Sequence, residues 1–174
     1  MIQTIKFTKV RDVKSPVRGT NQAAGIDFFV PNFTPQFIID LIKKNPFVAC
    51  TIDDSNNLQI KIPANGKVLI PSGIKTFMST DSALIGANKS GVASKKGLIF
   101  GAHVIDSDYS GEIHINVINT TNSDVIVSSG EKLIQFIHTP VILSSLEEID
   151  ASEYEDLHLN SVRGESGFGS TGTK

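Results

Sequence analysis

Gly101-Ala102-His103-Val104-Ile105-Asp106-Ser107-Asp108-Tyr109-Ser110-Gly111, followed by Glu112-Ile113-His114-Ile115-Asn116-Val117-Ile118-Asn119, reads as a β-rich approach, a polar turn and a second strand. Outward from it the same texture repeats. Ile2 to Phe7, Lys67 to Met78, Asp124 to Val127 and Lys132 to Leu143 are rich in Val, Ile and Phe with partial alternation of period two. Turn chemistry falls between them at Pro63-Ala64-Asn65-Gly66, Pro71-Ser72-Gly73, Ser110-Gly111 and Ser129-Gly130, at intervals suited to a sandwich or barrel. The expected fold class is all-β. One stretch departs from it: Thr34 as N-cap, Pro35 at the first helical position and apolar Phe37, Ile38, Leu41 and Ile42 predict a short amphipathic helix that Asn45-Pro46 stops.

With 174 residues the chain can enclose one substantial core. Sixteen Lys plus Arg against eighteen Asp plus Glu give a net charge of −2, so no global basic field favours long nucleic acid and cations must act locally. A single cysteine, Cys50, excludes an internal disulfide framework and fits a reducing compartment, where a buried, inert thiol is expected. No apolar run has the length of a membrane span, and Lys6, Lys9 and Arg11 interrupt the N-terminus, so a soluble, intracellular protein is expected, cytoplasmic or inside a host cell.

The end of the chain has a different composition. In Arg163-Gly164-Glu165-Ser166-Gly167-Phe168-Gly169-Ser170-Thr171-Gly172 one cation and one aromatic ring stand among glycines and hydroxyls. Such a segment buries too little apolar surface to order by itself. It is equipped to close over a nucleotide, with guanidinium to phosphate, ring to base and Gly and Ser amides to phosphate oxygens. A plain Gly/Ser tail is the competing reading.

This segment resembles the fifth of five motifs of the trimeric dUTP diphosphatases (dUTPases), and four others match in order. Ala23-Ala24-Gly25-Ile26-Asp27 resembles the first, with Ile26 where an aromatic is usual; Lys89-Ser90-Gly91-Val92-Ala93 the second; Gly101 to Gly111 the third; and Gly130-Glu131-Lys132-Leu133-Ile134-Gln135 the fourth. The resemblance implies a distorted jelly-roll barrel over residues 1–160, a flexible arm over 161–174, and a homotrimer. Its sites would take the first, second and fourth motifs from one subunit, the third from another and the arm from the last. The gap between Asp27 and Lys89 is wider than the family's usual spacing. Residues of about 33 to 60 are therefore read as an insertion carrying the helix and a hairpin around Asp53 to Asn57, either packed on the barrel or binding a regulatory protein.

The implied reaction is hydrolysis of dUTP to dUMP and pyrophosphate. It needs an in-line water, a carboxylate to deprotonate it and cations to absorb charge on the phosphate oxygens. Asp106, at a strand end, is the expected base; Asp108 suits an ordinary turn carboxylate better. Tyr109 is expected beneath the deoxyribose, where a 2′-hydroxyl would clash, and uracil is read by main-chain groups of Ala102, His103, Val104 and Ile105 and near His114. His103 and His114 replace the family's glycines and are expected to point outward. Lys89, where most relatives have arginine, would meet phosphate as a point charge, with Ser90 at the α/β-bridging region and the Gly91 amide close by. Gln135 either contacts a phosphate oxygen or is satisfied by backbone. Arg163, Phe168, Gly169 and Ser170 of the arm complete the substrate contacts. The implied cofactor is Mg²⁺, held mainly by the triphosphate, with Asp27 reaching it through water or acting only as a structural carboxylate. A dCTP deaminase of the same superfamily is the near alternative, and the absence of a clear Glu and Arg deaminase constellation argues against it.

Overall fold

The structure is a computed structural model that describes residues 4–162 and 164. Arg163, Phe168, Gly169 and Ser170 of the expected arm lie outside the described residues, so they are not placed here. The chain begins with β1 (Lys6–Lys9), β2 (Val17–Arg18), β3 (Gly25–Phe28), α1 (Pro35–Lys44), β4 (Ala49–Ile52) and β5 (Leu58–Ile62). There follow β6 (Lys67–Pro71), β7 (Ile74–Phe77), β8 (Ser82–Asn88), α2 (Ser90–Lys96), β9 (Leu98–Phe100) and β10 (Val104–Ile105). β11 (His114–Asn119), β12 (Val125–Ser128), β13 (Ile134–Pro140) and α3 (Ala151–His158) complete it. The backbone divides into two compact units, Met1–Ile142 and Leu143–Lys174. In the second, Asp150 caps α3 by accepting from the Glu153 amide at 2.9 Å.

The first unit is all-β, as expected, apart from the expected α1 and a second helix, α2, that the sequence pattern does not predict. Its main sheet has the order β10-β8-β13-β3-β2, and every pairing in it is antiparallel. Smaller sheets β6-β11-β9, β12-β5-β4 and β1-β7 complete the barrel. Inside, Phe28, Phe136 and Phe100 pack edge to face at 4.7 and 5.9 Å between centroids, with Ile60, Ile70, Ile115 and Val127 fully buried around them. The run Lys67 to Met78 is two strands rather than one. Gly73 takes φ +74°, a conformation glycine enters freely, and there the chain passes from β6 into a different sheet as β7. Leu133 also departs from the expected alternation: it is buried like Ile134 and Phe136, and only from Ile134 onward do sides alternate, with Gln135 and Ile137 facing away from the core.

α1 forms where its caps predict. The Thr34 hydroxyl accepts from the Phe37 amide at 3.2 Å, Pro35 occupies the first turn, and Asn45 closes the C-terminus. Its buried stripe is narrower than expected: Phe37 and Leu41 are in the core, Ile38 packs against it, and Ile42 faces outward. After it, β4 and β5 form the hairpin, with Asp53 accepting from the amides of Ser55 at 3.0 Å and Asn57 at 2.8 Å in the turn. β5 is part of the barrel itself, since Ile60 and Ile62 are fully buried and the strand pairs with β12. Cys50 is only half-buried, and burial pushes its thiol above the ordinary value, which keeps it unreactive. Among the described residues no helix is long and apolar enough to cross a membrane.

Candidate active site

The segment expected to be a simple hairpin is splayed. β10 pairs with β8, whereas β11 pairs with β6 and β9, so the two arms diverge into different sheets after Gly101, whose amide still reaches the Asn116 carbonyl at 2.9 Å. Between them opens a pocket of about 370 Å³ lined by Lys44, Leu69, Ala102, Val104, Ile105, Asp106, Tyr109 and His114. Its size and largely apolar walls suit a nucleoside. Asp106 lies exposed just beyond β10, with its backbone carbonyl accepting from the Tyr109 amide at 3.2 Å. Tyr109 folds back over Gly111: a Cβ at that glycine would run into the phenol ring, so the turn admits the ring only because position 111 has no side chain.

Glu112 holds this arrangement together. Its carbonyl accepts from the Tyr109 hydroxyl at 3.0 Å and from His114 Nδ1 at 2.7 Å. Its carboxylate takes both arms of the Arg11 guanidinium, at 2.7 and 3.0 Å, and the Gly73 amide at 2.7 Å. Arg11 in turn pairs with Asp40 of α1 at 2.8 Å, and the pair pulls the Asp40 carboxyl below its ordinary range. His114 does not point outward as expected. It is half-buried and its Nε2 meets the Lys44 ammonium at 2.8 Å. An ammonium can only donate and a carbonyl only accept, so the ring is neutral, protonated on Nδ1 and bare on Nε2. Burial is the main force lowering its pKa, opposed by the Glu112 carbonyl and aided by Lys44. His103 is fixed by other means, with Nδ1 against the Gly86 carbonyl at 2.9 Å and its ring edge-on to Phe100.

A second constellation sits on the main sheet. Asp27 of β3, Gln135 of β13 and Ala87 of β8 are directly opposed neighbours, so they form one row on the face turned away from Phe136. Lys89, two residues beyond Ala87, joins that row. Its ammonium contacts one oxygen of the buried Asp27 carboxylate, and Lys132 approaches the other at 3.2 Å. Two cations on one carboxylate leave the cluster net positive. Gln135 lies over Gly25, where a Cβ would collide with its amide, and donates to the Asn88 carbonyl at 3.0 Å, so backbone does satisfy it. Lys89 is the N-cap of α2, and Ser90 and Gly91 form that helix's first turn, whose leading amides lack partners within the helix. A Cβ on Gly91 would meet nothing within 4 Å, so the space beside its amide is open.

Asp106, Tyr109, His114, Ala102, Val104 and Ile105 therefore share one pocket, which His103 does not line, whereas Lys89, Ser90, Gly91, Gln135 and Asp27 gather elsewhere on the same chain. Four contributors were not foreseen: Arg11, Lys44, Glu112 and Lys132 carried no local signal, because each acts through a partner distant in sequence. Asn45 was read only as a helix stop. Lys96 pairs with Glu131 and donates to the Ile126 carbonyl at 3.3 Å. Among the described residues no group of three His, Cys, Asp or Glu side chains is placed to hold a metal. Asp27, already engaged by two ammonium groups, does not fit direct ligation.

A family model described as dUTPase matches residues 51–172, which takes in every expected motif except Ala23 to Asp27. A deoxyuridine 5′-triphosphate nucleotidohydrolase of Oryza sativa is 33% identical over 125 residues, 72% of this chain and 70% of that protein. Another of the same name from Paramecium bursaria Chlorella virus 1 is 29% identical over 163 residues, 94% of this chain and 93% of that protein. In fold, the chain resembles a mutant Staphylococcus bacteriophage 80alpha dUTPase solved with dUpNHpp, at TM-score 0.73 and 18% identity over 97% of this chain and 98% of that one. It also resembles a mutant dUTPase of phage phi11 of S. aureus, described with a structural Mg(II) ion, at TM-score 0.65 and 16% identity over 84% of this chain and 97% of that one.

Proposed function

The chain belongs to the dUTPase family, and we propose from that premise that it hydrolyses dUTP to dUMP and pyrophosphate in a reducing cytoplasm, as a homotrimer whose subunits share sites. The observation that carries this reading is the separation of two half-sites on one chain. One is a shaped, largely apolar pocket edged by an exposed carboxylate and one ammonium; the other is a positive cluster at a helix start. A nucleoside triphosphate needs both at once, so the nucleoside pocket of one subunit would face the phosphate cluster of the next.

In the reaction, Asp106 takes a proton from water as the water oxygen attacks the α-phosphorus. The bond to the bridging oxygen breaks, and pyrophosphate leaves with its electron pair. Lys89 and Lys132 draw the phosphate oxygens, with the Gly91 amide and Ser90 hydroxyl donating beside them. As phosphate arrives, it competes with Asp27 for the Lys89 ammonium. Mg²⁺, entering on the triphosphate and keeping waters that can meet Asp27, would neutralise charge on the phosphate oxygens. Tyr109 underlies the sugar, and Arg163, Phe168, Gly169 and Ser170 close the site from the arm. The test is initial-rate hydrolysis of dUTP, dCTP, dTTP and UTP with Mg²⁺: dUTP is expected to dominate, and preferred release of ammonia from dCTP would overturn the reading. A second role, binding a regulatory protein through the insertion, has in its favour Ile39 and Phe47, which are 59% and 89% exposed. Loss of partner binding on Phe47→Ser with turnover retained is its check.

A further inference from the structure

Among the residues lining the nucleoside pocket, Lys44 alone comes from the insertion. Its position is fixed from three sides. Leu41, one turn before it, is fully buried. Asn45, immediately after it, is buried and acts like a neighbouring strand toward β6: its Oδ1 accepts from the Leu69 amide at 2.7 Å, and its Nδ2 donates to the Leu69 carbonyl at 2.9 Å and to the Leu41 carbonyl at 2.7 Å. On the far side, Arg11 ties Asp40 of the same helix to Glu112 below the pocket. The helix end that carries Lys44 is thus held by rigid structure, and its exposed side chain reaches the pocket against His114.

Its chemistry is equally constrained. A lysine ammonium has three N–H donors and no acceptor, and one of the three is spent on His114 Nε2. No ion pair joins Lys44 to a carboxylate among the described residues, although Asp106 lines the same pocket. The neighbouring walls, Leu69, Val104 and Ile105, offer it no side-chain acceptor. The two remaining donors are available to a ligand seated there. Phosphate already has cations of its own in Lys89 and Lys132, which cluster on Asp27 and do not line this pocket.

We infer that Lys44 donates a hydrogen bond to the carbonyl at C4 of the bound pyrimidine, which makes the insertion a determinant of uracil over cytosine. Cytosine carries an amino donor at C4, and two donors facing each other leave both unpaired, which is the situation that gives polar sites their selectivity. The inference rests on the dUTP reading above, and nucleoside binding separates the two because it needs neither phosphate nor turnover.

The experiment titrates deoxyuridine and deoxycytidine against the full chain as wild type, Lys44→Met and Lys44→Arg, alongside dUTP hydrolysis. Methionine keeps the apolar stem, so equal melting temperatures confirm intact folding. Lys44→Met should weaken deoxyuridine binding roughly tenfold or more, the scale of a charged hydrogen bond, and change deoxycytidine binding less than about twofold. Lys44→Arg should restore most of the loss. In turnover the change should appear in KM for dUTP more than in kcat, since the contact is made equally before and during reaction. Equal effects on the two nucleosides, no effect on either, or wild-type protein that binds neither would overturn the inference. Absence of dUTP hydrolysis by the wild type would instead overturn the functional reading itself.

Discussion

The nucleoside pocket and the phosphate cluster solve opposite problems. In the pocket, charge is confined to the exposed Lys44 and Asp106: His114 is neutral, and Glu112 is occupied by Arg11 and the Gly73 amide. Specificity is left to shape and a few aimed donors. In the cluster, charge is stored, with Lys89 and Lys132 bridged by the Asp27 carboxylate until a stronger anion arrives. The difference shows why neither end could function alone. A shaped pocket selects a base without binding a triphosphate tightly, whereas a cationic cluster binds any polyphosphate without selecting its base.

The largest expected effect separates chemistry from both kinds of binding. Asp106→Asn keeps the size and hydrogen bonding of the side chain but cannot accept the proton, so kcat should fall by roughly two to four orders of magnitude. Calorimetric affinity for a non-hydrolysable dUTP analogue should hold. Near-normal turnover in a well-folded variant would remove Asp106 from the reaction. Next in size, Lys89→Ala should weaken that analogue by roughly tenfold or more, yet leave deoxyuridine binding almost untouched. An equal loss for both ligands would erase the distinction between the two regions.

Asn45→Ala breaks the link between the insertion and the pocket. It strips partners from the Leu69 backbone and the Leu41 carbonyl, and a cost of about 1–3 kcal/mol is expected in urea unfolding. Pyrophosphate binding should be unchanged, because the cluster lies on another face. The smallest effect is a pH dependence. His114 titrates below its ordinary value of about 6.5 when folded, so on acidification the unfolded chain takes up this proton first. Stability from this group is therefore intact above that range and declines as pH falls through it, levelling off below the folded pKa. Replacing His114 by Gln should flatten that part of the pH–stability curve; an unchanged slope would show that the ring is not held neutral.

What the sequence reveals here is governed by distance along the chain. Thr34-Pro35 and Asn45-Pro46 bracket α1 because caps act over one turn, and Asp106 and Tyr109 are legible because a single turn carries both. β8, inside the main sheet between β10 and β13, is hidden. Its Ser, Ala, Gly and Asn residues lack the bulk that marks a strand, and Gly86 is small because the Phe100 ring occupies the space a Cβ would take. Glu112 is hidden for another reason. Adjacent to a turn it reads as solvated charge, and only folding brings Arg11 and the Gly73 amide to it. The same holds for Lys44, whose role depends on a strand pairing that local pattern does not contain.

The row formed by Asp27, Gln135 and Ala87 also bears on how this protein could drift. Moving β13 along its neighbours by one residue would turn Gln135 inward and expel Phe136 and Ile134, so the alignment that brings the first, second and fourth motifs together is the same alignment that fills the barrel. Inheritance of the fold carries inheritance of the site's layout. Lineages that lose activity should do so by exchanging individual side chains on an intact scaffold, and inactive descendants would remain well-folded barrels open to recruitment for other work.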